Sequence, residues 1–158
     1  PDDPTCRTLD RQYMFGPNLL VAPVFTYSGD VEYYLPAGVW TNWFTGEKVA
    51  SEHGVWRNER HGFDTIPLWV REGSVLVTKP GAETPDYEYG KEALVSVFLD
   101  GTDAAEAVVT EADGFSVTFS ARKTANGVEV SSSDGRAFTA RLGFGEVVAA
   151  SEGRVMLS

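Results

Sequence analysis

Turn-forming clusters interrupt this chain at intervals of about 8 to 12 residues, the spacing expected of antiparallel sandwiches and barrels. They include Ser28-Gly29-Asp30, Pro36-Ala37-Gly38, Thr45-Gly46, His61-Gly62, Asp100-Gly101, Asp113-Gly114, Asn126-Gly127 and Asp134-Gly135. Between them the apolar pattern is short and of period two, as in Val31-Glu32-Tyr33-Tyr34-Leu35 and Phe115-Ser116-Val117-Thr118-Phe119. Alternate side chains then share one face of a strand. Asn126-Gly127 is the best hairpin candidate, as a type I′ turn with positive φ at both central residues. Helical periodicity is nearly absent. One helical turn is expected around Thr8 to Phe15, closed by Gly16-Pro17, because Pro17 cannot continue a hydrogen-bonded turn. Asn18 to Phe25 then reads as a buried strand, and the fold class is all-β.

A chain of 158 residues that is 42% apolar can bury a core. Its formal charge of -10 lacks the basic footprint that phosphate backbones require, which argues against nucleic acid. Cys6 is the only cysteine, so neither an internal disulfide nor a thiolate zinc site is available. That composition fits cytoplasm, the favoured location, as well as export. No apolar run reaches the roughly 18 residues of a membrane span. The opening Pro1-Asp2-Asp3-Pro4 reads as a piece cut from something larger.

The stretch Lys79 to Asp86 sets two prolines and a glycine between two strand-rich halves. All four tryptophans precede it. Residues 1–79 carry 7 basic and 10 acidic side chains, net -3, and residues 80–158 carry 6 and 13, net -7. Two consecutive antiparallel β-sandwich domains, 1–79 and 80–158, are therefore expected.

Candidate chemistry is sparse. His53 and His61 sit at glycine turns without a G-x-S-x-G elbow, and are expected to be exposed or turn-capping. Glycoside hydrolysis needs two carboxyl groups facing across a bond. Asp2, Asp3, Asp10, Asp30, Glu32, Glu59 and Asp64 supply carboxylates, but the sequence pairs none of them. Asp100-Gly101-Thr102-Asp103 lacks the EF-hand's glycine offset and closing glutamate, and reads as a hairpin tip. Tyr33, Tyr34, Trp40, Trp43, Phe44, Trp56 and Trp69 fall within 37 residues. They suit core packing, with Tyr33 and Trp40 paired across the Pro36-Ala37-Gly38 turn, or an exposed sugar-stacking platform. The candidates for such a platform are Trp40, Trp43 and Trp56.

Three blocks in order resemble glycoside hydrolase family 31. Leu9-Asp10-Arg11-Gln12-Tyr13-Met14-Phe15-Gly16 followed by Asn18-Leu19-Leu20-Val21-Ala22-Pro23-Val24 is similar to the segment after that family's catalytic barrel. Val31 to Thr41 resembles its "YLP-x-G-x-W" hairpin, and Ile66 to Ser74 its "P-x-x-V-R-x-G-S" strand. The Asp-Arg-Gln-Tyr-Met wording is most like the bacterial α-xylosidases. Pro85-Asp86-Tyr87 and Asp100-Gly101 resemble the distal C-terminal sandwich of the same enzymes.

The resemblance implies a retaining parent with an N-terminal sandwich, a (β/α)₈ barrel, and proximal and distal C-terminal sandwiches. It also implies that the proximal sandwich lacks its first strand here, leaving an edge open to pairing. Both family aspartates, nucleophile and acid/base, belong to the barrel, so no catalytic residue is carried over to this chain. The expected role is that of a non-catalytic accessory region braced on the barrel. A carbohydrate-binding module or an oligomerisation domain is the alternative. The implied partners are the barrel, the parent's oligosaccharide substrate and a second copy of the chain, with no cofactor, metal, nucleic acid or membrane.

Overall fold

The computed structural model describes residues 3–84 and 88–158. Asp2 and Pro85-Asp86-Tyr87, singled out above, lie outside the described residues. The chain divides into two compact units, Pro1–Glu72 and Gly73–Ser158. The division falls ahead of the proline-rich stretch from Lys79, because Ser74–Thr78 pairs along its whole length with Leu94–Phe98 of the second unit.

The first unit opens with a 3₁₀ turn at Pro4–Thr8. Asp3 caps it, its carboxylate accepting the Thr5 N–H at 2.9 Å, and Pro4 supplies the preset φ of a first helical position. The helical turn expected at Thr8–Phe15 is therefore displaced towards the N-terminus. Tyr13–Phe15 (β1) is instead a strand, antiparallel to Leu19–Val21 (β2) across a turn in which Gly16 adopts φ +64. Asp30–Leu35 (β3), Gly38–Asn42 (β4), Lys48–Ser51 (β5), Val55–Arg60 (β6) and Leu68–Arg71 (β7) follow.

They form a five-stranded sheet in the order β1-β2-β7-β4-β5 and a two-stranded ladder β3-β6. Leu20, Ala22, Val31, Tyr33, Leu35, Trp40 and Trp69 make the core between them. Consecutive strands β3 and β4 thus belong to different sheets, and Pro36-Ala37 is a corner rather than a hairpin tip. Tyr33 pairs with Arg57, and Trp40 pairs with Val49 and Arg71, so the expected Tyr33–Trp40 cross-strand pair does not form.

The second unit contains Ser74–Thr78 (β8), Leu94–Phe98 (β9), Ala104–Thr110 (β10), Ser116–Thr124 (β11), Gly127–Ser132 (β12), Thr139–Leu142 (β13), Val148–Ala149 (β14) and Arg154–Leu157 (β15). Two four-stranded sheets, β10-β11-β12-β15 and β14-β13-β9-β8, enclose a core built on Val95, Val97, Val117, Phe119, Val130 and Phe138. All pairings are antiparallel except β9 with β13, whose connection crosses through the opposite sheet. Asp100-Gly101 lies between β9 and β10, which belong to different sheets, so it is a corner rather than a hairpin tip. The hairpin at Asn126-Gly127 forms, but its loop is Ala125-Asn126, since Thr124 pairs with Gly127. Gly127 has φ +129 while Asn126 stays at negative φ, so the turn is not type I′. Thr124 Oγ1 supplies the geometry instead, accepting the Asn126 N–H at 3.2 Å and donating to the Gly127 carbonyl at 2.9 Å.

Candidate functional site

The tryptophans separate into three environments. Trp40 lies in the core at 2% exposure, and its indole N–H donates to the Pro36 carbonyl at 2.9 Å. It offers no face to a ligand. Trp43 is half-buried, with its backbone N–H on the Leu68 carbonyl. Trp56, on the outer face of the β3-β6 ladder, is 50% exposed. The three do not form a row, because β4 and β6 lie in different sheets.

The most polar part of the first unit's interior comes from β6, whose inward positions are Val55, Arg57 and Glu59. Two charges on the core side of a strand need partners. Glu59 accepts from Arg57 Nε (3.1 Å) and Nη2 (3.0 Å) and lies 3.0 Å from His61 Nε2, whose Nδ1 meets Thr65 Oγ1 at 3.0 Å. Arg57 also reaches Glu47 at 3.1 Å and stands over the Trp69 ring, 5.5 Å from its centre. Tyr33 completes the set, donating to Glu59 while its oxygen accepts the Trp69 indole N–H at 2.9 Å.

Burial, and then the Glu59 carboxylate, hold the Tyr33 phenol well above its ordinary range. Burial alone would raise Glu59. The hydrogen bonds from Tyr33, His61 and Arg57, with the Arg57 charge, outweigh it and bring the carboxyl below its usual value. His61 is therefore an interior network member rather than an exposed turn histidine. His53 is exposed as expected. The Glu59 carboxylate thus stands among the Arg57 guanidinium, the His61 ring and the Tyr33 phenol, with Glu47 on the same Arg57 nitrogen.

The remaining carboxylates have local roles or none. Asp3 accepts the Tyr34 hydroxyl at 2.8 Å besides capping the 3₁₀ turn. Asp30 accepts from Ser28 at 2.6 Å, and Glu32 accepts from Asn58 at 3.3 Å. Asp10 and Asp64 are exposed. No group of three or more His, Cys, Asp or Glu among the described residues is placed to hold a metal ion.

In the second unit Arg136 bonds Asp134 (2.7 Å) and Glu111 (3.2 Å) at the rim of a hollow of about 890 Å³. Glu111 also accepts the N–H groups of Tyr89 and Gly90. Burial raises Asp134, but the Arg136 bonds and charge override it and lower the carboxyl. Lys91 on the same rim pairs with Glu88 at 2.9 Å. These charges are spent on one another, so the hollow reads as a clamp on its loops.

Sequence reading missed the Tyr33–Arg57–Glu59–His61 network. The available signal was parity: Arg57 and Glu59 share the register of Val55.

Residues 1–76 match the Glycosyl hydrolase family 31 C-terminal domain. An alpha-xylosidase of Emericella nidulans is 41% identical over 143 residues, covering 82% of this chain and 18% of that protein. Alpha-xylosidase XylQ of Lactiplantibacillus pentosus is 32% identical over 127 residues, covering 72% of this chain and 17% of that protein. The chain thus spans under a fifth of the length of these curated relatives. Among solved structures, the GH31 alpha-xylosidase of Xanthomonas citri superposes with a TM-score of 0.75 at 24% identity, covering 98% of this chain and 20% of that one. The ordered motif blocks, the strand arrangement and these matches agree, and the chain belongs to glycosyl hydrolase family 31.

Proposed function

We propose that this chain is the non-catalytic C-terminal accessory region of a retaining α-glycosidase, an α-xylosidase that hydrolyses terminal α-xylosyl linkages. Its partner is the catalytic barrel of the parent chain, and its contribution to turnover is indirect, through bracing the barrel's loops. The observation that carries this reading is the exposed aromatic set of the first unit. Tyr13 and Phe15 project from edge strand β1, the latter 66% exposed, and Tyr27 and Phe63 are fully exposed. The loops bearing Tyr27 and Phe63 are tied together, the His61 N–H donating to the Gly29 carbonyl at 3.0 Å and Arg60 Nε to the Ser28 carbonyl at 2.9 Å. Apolar side chains on a braced pair of loops and a sheet edge suit a surface that packs on another body.

The similarity to two α-xylosidases over most of the chain supports the assignment. The test is incubation of the purified chain with an aryl α-xyloside. No aglycone release is expected; turnover that tracks the chain through purification would end the accessory reading.

A further inference from the structure

We propose that the cleft beside Trp56 binds a neutral pyranose ring, as the terminal residue of an oligosaccharide. The first ground is the register of β6. Trp56, Asn58 and Arg60 face outward while Arg57 and Glu59 face inward, so a one-residue slip would bury an indole and release two charges to water. The observed register is instead held by the network around Glu59, and it leaves a half-exposed indole with a fixed orientation. The Trp56 ring is backed by Tyr34, ring centres 5.3 Å apart at 52°.

The second ground is the wall opposite. Gln12 brackets the Tyr34 backbone as a strand would, Nε2 donating to the carbonyl and Oε1 accepting the N–H, each at 2.7 Å. That bracket fixes the segment carrying Asp10 and Arg11, neither of which has a partner among the described residues. Together with Phe25 and Glu32 they line a cavity of about 240 Å³ against Trp56. On the far side the Thr26 hydroxyl is spent on the Asp30 carbonyl at 2.6 Å, so Asp10, Arg11 and the Glu32 oxygen not taken by Asn58 are the groups left to a ligand.

The chemistry follows from that set. An aromatic face takes the C–H face of a sugar ring, two carboxylates accept from vicinal hydroxyls, and a guanidinium donates to a ring or hydroxyl oxygen. The excess of acid disfavours phosphate, sulfate and uronate. The volume falls below the roughly 300–1,000 Å³ of drug-sized sites, which restricts the cleft to a single ring. The site is built from different residues than the docking set above and stands apart from that reading.

The test uses the ¹⁵N-labelled chain and its tryptophan indole N–H resonances, titrated with D-xylose, D-glucose and a xyloglucan oligosaccharide. Sorbitol, which has hydroxyls but no ring, is the control. The expected result is a saturable millimolar shift of the Trp56 indole with at least one of the ring sugars, while those of Trp40 and Trp69 stay in place and sorbitol has no effect. Trp56→Ala abolishes binding, the unchanged Trp40 and Trp69 signals reporting an intact fold. Glu32→Gln, which removes no core contact, weakens binding by about fivefold, the worth of one net hydrogen bond. No saturable shift with any ring sugar, an equal shift with sorbitol, or undiminished binding in Glu32→Gln overturns the proposal.

Discussion

Tyr33→Phe isolates the polar network from the packing around it. Tyr33 is 1% exposed and Trp69 is fully buried, and their 2.9 Å hydrogen bond is internal to the core. Phenylalanine preserves the ring and leaves the Trp69 N–H without an acceptor, which costs about 1–3 kcal/mol. It also removes the phenol's donation to Glu59, although Arg57 and His61 still hold that carboxylate. A total loss of about 2–4 kcal/mol is expected for the first unit. All four tryptophans lie in that unit, so their fluorescence reads its unfolding separately from the second. With a urea slope of about 1 kcal/mol per molar for so small a unit, the fluorescence midpoint falls by about 2 M or more. A midpoint lowered by less than about 0.5 M would refute the reasoning, because the orphaned indole would then have found another partner at no cost.

Other perturbations separate the remaining interactions. Glu59 has a lowered carboxyl in the folded state, so its contribution is present above its unfolded value and lost as pH falls through the folded one. Unfolding followed by fluorescence should therefore show the first unit weakening below about pH 5, and Glu59→Gln should be less stable at neutral pH with a flatter acid limb. Gly54→Ala sets a side chain at φ +79 and into the Tyr34 hydroxyl, which lies 2.8 Å from both Asp3 and the His53 carbonyl. A loss of more than about 1 kcal/mol in the same unit is expected by urea titration. Ser74 is buried, and its hydroxyl has no hydrogen-bond partner among the described residues. Ser74→Ala should leave the second unit as stable or raise it by up to about 1 kcal/mol, read by circular dichroism melting.

The all-β class was legible because turn residues and period-two strands agree, each glycine or proline cluster ending a segment of the right length. Which strands share a sheet was not legible. Tyr33 and Trp40 flank a short turn, yet they enter different sheets because Pro36-Ala37 turns a corner, a choice made by the core they fill together. Tyr13–Phe15 was misread as helical because its partner strand β2 and the Gln12 bracket on Tyr34 are tertiary features. Among the platform candidates, sequence composition could not distinguish a Trp whose N–H is satisfied inside, Trp40, from one held outward, Trp56. That difference depends on the register of β6, which two inward charges fix against the simpler expectation for an indole.

The bracing of a barrel proposed for this chain rests on the exposed aromatics of its first unit. The most direct measurement removes the stretch that matches this chain from the Emericella nidulans α-xylosidase and adds this chain back in trans. Association is followed by sedimentation velocity, and turnover of an aryl α-xyloside by absorbance. Complex formation with a gain in activity is expected, both lost when Tyr27 and Phe63 are changed to serine. A chain that stays apart from the truncated enzyme, or a double-serine variant that associates equally well, would contradict it.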